Sequence, residues 1–591
     1  MTEHRIDDRW DLSHIYENDQ AWEAAFQKLI TLSEELPAYC GCLGEPSKLL
    51  EYLNLDERIG RLAQRIGQYA GLHSDEDATN MQYMSMKGRA ERFFSELGGK
   101  QAFFTPEILA MPEEQVLSML REVPGLEPYR FALESILREK PHTLDKQGEE
   151  LLAYASDCLS APQTVSNLLR HADLKFSKIE DANGSEVELN EGNYPAFLMS
   201  KDRRVRKDAF ESVLGAYETF RNTFAGLLVS SVKTCVFNAN MRHYPSALSG
   251  VLDHDNIPTE VYHNTIDAVG AGIASLHRYV GLKKRMLGVE ELHIYDLYAP
   301  VIDIPDEHIE FDEAVTTIKT ALQPMGKPYI DRFQEGIDSR WVDRYPRMGK
   351  VSGAYSSGSY DTMPYILLNY NYTLEDVLTL AHEMGHSLHT RYTVEQQPFV
   401  YSDYALFCAE VASITNEIMV SRYLCDRETD PQKRLHLISL ALEQIRTTVF
   451  RQTLFAEFEL YLHEELEKGM MPMADELCQV WHELNLKYYG DQLIIDPLID
   501  VEWARIPHFY TDFYVYQYVT GYAAASAFAE MLMTGEEGAL ERYQGFLKSG
   551  SSDYPVSILQ KAGVDMTQKK PFQQVLARFD ALLDALEAEL K

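Results

Sequence analysis

Apolar residues recur three and four positions apart along most of this chain, and that spacing commits it to helices. Ile59, Leu62, Ala63, Ile66, Tyr69 and Ala70 line one helical face. Phe572, Val575, Leu576, Phe579, Leu582, Leu583 and Leu586, just after Pro571, line another. An α-helix stacks such positions on one side, so each stripe must be buried against a neighbour. The fold class predicted is mainly α. A 591-residue chain that is 45% hydrophobic can bury a large core and is expected to hold more than one domain.

Two stretches break the helical period. Lys178-Ile179-Glu180 and Glu186-Val187-Glu188-Leu189 flank Asn183-Gly184, a hairpin signal between residues 176 and 190. Segments 350–355 and 364–369 read as two strands around a turn rich in Ser, Gly and Asp, with Gly353 and Gly358 permitting close backbone approach. A strand edge there could bind an extended peptide through its backbone. The division expected is an N-terminal helical domain, residues 1–200, followed by a catalytic domain, residues 201–591.

The second pair of strands precedes His382-Glu383-Met384-Gly385-His386. Thr373-Leu374-Glu375-Asp376 reads as an N-cap with an acid three residues on. Leu374, Val377, Leu378, Ala381, Gly385 and Leu388 then form a helical stripe. On that helix two imidazoles four residues apart share a face and can close on one Zn²⁺, while Glu383 points to the metal's open side as a general base. A third protein ligand is needed, and two residues compete. His389 shares the face but lies about 10 Å along the axis from His382, too far for three imidazoles on one straight helix to reach one ion. Glu410 fits better, on a second helix that a connector containing Pro398 can return antiparallel. Glu417, seven residues on, falls on the same face and could hydrogen-bond a ligand's second nitrogen.

These residues, His382 to His389 with Glu410-Val411-Ala412-Ser413 and Glu417, resemble the M3 metallopeptidases, specifically the oligoendopeptidase F branch. The resemblance extends to Arg9-Trp10-Asp11-Leu12-Ser13-His14-Ile15-Tyr16, to Arg242-His243-Tyr244-Pro245-Ser246-Ala247-Leu248, to Gly353-Ala354-Tyr355-Ser356-Ser357-Gly358 and to residues 508–518, nearly the whole chain. It implies a mostly helical, bowl- or clam-shaped zincin that cuts short peptides in a deep channel with one Zn²⁺ per chain. A helical zinc carboxypeptidase and an inactive peptide-binding relative are the alternatives; an intact Glu383 argues against the second.

Tyr510, Tyr514, Tyr518 and Tyr522 recur every fourth residue after His508, which reads as one helical stripe. Such stripes often serve packing alone. Phenols and a neutral imidazole can also donate hydrogen bonds to the oxyanion of peptide hydrolysis. The resemblance implies that His508 and at least one tyrosine, Tyr514 or Tyr518, contact substrate or transition state.

The formal net charge of −36 disfavours nucleic-acid and anionic-membrane partners. The basic run Lys201 to Lys207 reads as a solvated helix turn. Seven scattered cysteines, an odd number without metal-type pairing, predict reduced thiols. The first eight residues lack an apolar leader core, and no 18-residue apolar run occurs, so a cytoplasmic location is expected.

Overall fold

The computed structural model describes residues 8–302 and 307–590. Residues 1–7, on which the reading of the first eight residues rests, lie outside that range. Helices dominate the described residues, and every strand is two or three residues long. The fold is mainly α, as the periodicity predicts. Among the described residues no helix is long and apolar enough to cross a membrane.

The chain divides into two compact units, each assembled from three stretches. Residues 1–141, 306–423 and 528–564 form one; residues 142–305, 424–527 and 565–591 form the other. The expected boundary near residue 200 does not coincide with this division. Each unit closes through packing between stretches far apart in sequence, which local composition does not reveal.

In the first unit the helices Asp19–Ser33, Pro46–Glu76 and Met81–Gln101 pack around Trp22, Phe26, Ile59, Ile66 and Phe93. Within the stripe read from sequence, Ile59, Ile66, Tyr69 and Ala70 are buried, while Leu62 and Ala63 pack at its margin. The indole of Trp22 donates to the carbonyl of Ile66, so this large buried ring leaves no unpaired N–H.

A three-stranded sheet lies in the same unit. Tyr365–Leu367 is its central strand, paired parallel with Val342–Asp343 and antiparallel with Tyr355–Ser357. The strand expected at 350–355 therefore begins only at Tyr355. Gly353, at φ +84°, turns the backbone out of the extended region. The Asn369 side-chain amide donates to the carbonyls of Val351 and Gly353, taking the place of ladder partners. Lys350 is folded inward, 2.5 Å from the fully buried Asp343 carboxylate, which Arg347 also grips. A buried carboxylate with two cations closes this loop without a ladder.

In the second unit, the hairpin pairs Ile179 with Val187 and Glu180 with Glu186, as Asn183-Gly184 predicts. The helices Arg221–Met241, Arg451–Glu467 and Ala474–Tyr489 pack on one another. Helix Lys570–Glu589 carries the C-terminal stripe, every member of which is buried. The basic run is solvated only in part: Lys201, Arg204 and Lys207 are exposed, but Arg206 is buried and with Arg203 clamps Asp296, itself fully buried. Two paired cations offset the cost of burying this carboxylate.

Candidate active site

The helix bearing the histidine pair spans Leu374–Gln396, and its start is set locally. Thr373 is the N-cap; its hydroxyl accepts from the Asp376 N–H while the Asp376 carboxylate accepts from the Thr373 N–H. Four residues of the sequence fix where the helix begins, and with it the height of His382 and His386.

The second helix spans Leu406–Arg427. It begins later than the sequence suggests, and the first helix runs on to Gln396, so the connector containing Pro398 is shorter than expected. The two helices are antiparallel: His382 meets Glu417, Gly385 meets Ser413, and His386 meets Glu410. A Cβ built on Gly385 would lie 2.5 Å from the Ser413 Cα and 2.9 Å from the Ala412 carbonyl oxygen. The backbones thus touch where no side chain larger than hydrogen fits. Asn416, fully buried, locks the contact by donating to the Ala381 carbonyl and accepting from the Tyr329 hydroxyl.

This close approach brings three donors together. His382 Nε2 and His386 Nε2 are 3.1 Å apart, and Glu410 Oε2 lies 3.4 Å from the first and 3.6 Å from the second. The Glu417 carboxylate accepts from His382 Nδ1. That bond fixes a proton on Nδ1 and makes Nε2 the nitrogen that faces the other two donors. Three donor atoms this close share a positive charge, which a proton supplies in the free site and a metal ion can replace. A tetrahedral zinc with bonds of about 2.05 Å separates its ligands by about 3.3 Å, so the donor set fits the ion in both chemistry and spacing.

The electrostatics follow from the same crowding. Burial pulls the His382 imidazole down, but Glu417, Glu383 and Glu410 outweigh it and raise its pKa to about 9. Burial pushes the Glu410 carboxyl up; His386 and His382 reverse this and hold it below its ordinary value. Glu383 is 6% exposed, and burial raises its carboxyl above the usual range despite the two neighbouring imidazoles. A carboxylate poised upward suits a group that must take and return a proton.

His389 lies elsewhere. It is 1% exposed, stacks on Tyr404 with ring centroids 3.9 Å apart, and packs against Phe546. Burial lowers its pKa to about 3. The ring is a core element, not part of the donor cluster.

The small sheet packs against the histidine helix. Ser356 and Ser387 share a hydrogen bond of 2.8 Å, and a Cβ on Gly358 would meet Thr390 at 2.8 Å. At Gly358 it is thus the Thr390 methyl that comes close, whereas a Cβ on Gly353 would meet nothing within 4 Å. Asn416, Tyr329 and the Ser356–Ser387 pair escaped the sequence reading, since nothing local marks residues whose partners lie on other elements.

His508, Tyr514 and Tyr518 gather in the second unit. Tyr518 Oη lies 3.4 Å from His508 Nε2, and the ring centroids of the three are 5.4 to 6.0 Å apart. The four tyrosines do not form one helical stripe. Tyr510 ends a 3₁₀ turn, Pro507–Tyr510, and Phe513 turns at φ +52°. The helix begins only at Tyr516, so Tyr518 and Tyr522 alone lie on it. Tyr510 is instead buried beneath the Arg170 guanidinium. Burial, then Arg170, holds the His508 pKa below its ordinary value.

Comparison with known proteins agrees with this arrangement. The profile of peptidase family M3 matches residues 196–578, and that described as oligopeptidase F matches residues 107–176. Oligopeptidase PepF of Bacillus subtilis is 39% identical over 587 residues, covering 99% of this chain and 88% of its own. Group B oligopeptidase PepB of Streptococcus agalactiae is 38% identical over 580 residues, 98% of this chain and 96% of its own. The crystal structure of oligoendopeptidase-F from Enterococcus faecium superposes with a TM-score of 0.76 at 37% identity, covering 97% of this chain and 99% of that one. This chain belongs to peptidase family M3, in its oligoendopeptidase F branch, and is a metallopeptidase.

Proposed function

We propose that the chain is a zinc endopeptidase acting on short peptides, with one catalytic Zn²⁺ held by His382, His386 and Glu410. The observation that carries this reading is the convergence of their three donor atoms, 3.1 to 3.6 Å apart, beside the buried Glu383. Zinc bound there would supply Lewis-acid polarisation of the scissile carbonyl and a water acidic enough to ionise near neutrality.

The chain's own residues do the rest. Glu383 accepts the proton of the attacking water and then delivers it to the leaving amine. Glu417 holds His382 in the tautomer that presents Nε2. To His508, Tyr514 and Tyr518 we assign hydrogen-bond donation to the oxyanion. Their mutual packing and the lowered His508 pKa, which keeps the ring neutral, support that role. The strand Tyr355–Ser357 is half-buried and pairs on one side only, which suits addition of an extended peptide backbone. Seven cysteines, all free thiols, support a reducing, cytoplasmic setting.

Mass analysis of products from one long peptide tests the reaction class. Internal cuts that a chelator abolishes and Zn²⁺ restores are expected. Stepwise loss of single C-terminal residues would mean a carboxypeptidase instead.

A further inference from the structure

Among the described residues, a second group of metal-type donors lies in the second unit. One donor atom each from Cys235, His463 and Asp512 fall within 4.8 Å of one another. Cys235 is on helix Arg221–Met241 and His463 on helix Arg451–Glu467, which pack together. Both side chains are more than nine-tenths buried. Asp512 follows the Pro507–Tyr510 turn, and its position is fixed from the next residue: the Phe513 N–H donates to the Glu459 carboxylate at 2.7 Å. The Phe513 ring also packs on His463, centroids 4.2 Å apart.

The proton arrangement is informative. His463 Nδ1 lies 2.9 Å from the Glu459 carbonyl oxygen, which can only accept. Nδ1 therefore carries a proton, and Nε2 is the nitrogen turned to the cluster. It faces Asp512 Oδ1 at 3.2 Å. A positive centre must lie between this nitrogen and the carboxylate, which a proton or a metal ion supplies. The charges acting most strongly on Cys235 are also acidic. Burial first, then Asp512, Glu459 and Glu467, push its thiol well above the ordinary range. A cation at the centre of thiol, imidazole and carboxylate would compensate them, with the thiol proton released to solvent as the ion binds.

We propose that Cys235, His463 and Asp512 form a second metal site, for a thiophilic divalent cation of the Zn²⁺ or Co²⁺ class. A thiolate and an imidazole select this class over Mg²⁺ and Ca²⁺, which prefer all-oxygen sets. The Nδ1–H bond to a backbone carbonyl is the support that metal-bound histidines commonly have. An ion there would tie the segment between His508 and Tyr514 to two helices of the same unit.

Cobalt titration of the metal-stripped, full-length protein tests this. A Co²⁺ ion bound by a thiolate shows sulfur-to-metal charge transfer in the near ultraviolet; one bound by His382, His386 and Glu410 does not. Two equivalents are expected to bind, one of them with that band. Cys235→Ser should lose the band and its equivalent together, and Asp512→Asn should weaken that equivalent by about 10- to 100-fold. His386→Ala should remove only the equivalent without the band, so failure here and failure of the peptidase site are told apart. A single equivalent without charge transfer in the wild-type protein overturns the proposal, and needs no variant to fold. So does a band that survives in Cys235→Ser, which would assign it to another of the seven thiols.

Discussion

Gly385 and Ser413 bring two helices into backbone contact: a Cβ on the glycine would stand 2.5 Å from the serine Cα. Glu410 is one turn from Ser413, and His382 and His386 flank Gly385, so this contact sets the distance between the imidazoles and the carboxylate. Gly385→Ala is expected to lower stability by roughly 1–3 kcal/mol, the usual range for overpacking, and to weaken zinc binding with it. Thermal unfolding with and without Zn²⁺ checks both; unchanged zinc affinity would show that the contact does not control the site.

Glu417 acts through His382. Glu417→Gln leaves the shape but removes the charge that orients and strengthens the imidazole. Zinc affinity should fall by about 10- to 100-fold, measured by competition with a chromophoric chelator. Excess Zn²⁺ should restore most of the turnover, whereas a purely structural residue would show no such rescue.

His389 is a buried neutral imidazole with a pKa near 3, against about 6.5 in an unfolded chain. Its folded pKa is depressed, so the stability it permits is fully present above pH 6.5 and is lost as pH falls toward 3. In that window the unfolded state binds one proton more, and stability drops by about 1.4 kcal/mol per pH unit from this group. His389→Phe should flatten the slope of stability against pH by one proton while keeping the zinc. Loss of zinc in this variant, with full zinc in Glu410→Ala, would reverse the ligand assignment.

His508 and Tyr518 contact one another at 3.4 Å. If they donate to the oxyanion, His508→Ala and Tyr518→Phe should each lower kcat by about 10²- to 10³-fold, with little change in KM or zinc content. Because the His508 pKa lies below its ordinary value, any loss of activity from protonating it belongs below pH 6.5. Steady-state kinetics across pH test both statements.

The histidine helix was legible because everything that defines it is local. Thr373 and Asp376 cap it, an apolar stripe buries it, and the spacing of His382 and His386 aligns them. Glu410 and Glu417 could be reached from helical spacing on the next element. The locks between those elements could not: Asn416 to Ala381 and Tyr329, and Gly385 to Ser413, join residues whose pairing appears only once the helices have packed. Two local readings failed for backbone reasons. Gly353 and Phe513 take positive φ, one delaying a strand and the other breaking the tyrosine stripe. The units were illegible because each is closed by three separated stretches of chain. The clamp on Asp296 was missed because a basic run looks the same whether water or a buried acid receives it.

The most direct measurement is turnover of a quenched fluorescent peptide by Glu383→Gln, with zinc counted in the same preparation. The amide keeps the size of the side chain but cannot take a proton from water. Zinc content should match the wild-type protein, and kcat should fall by about a thousandfold, within the range that general-base catalysis contributes. Near-wild-type turnover at full zinc occupancy would contradict the assignment of Glu383 as the base.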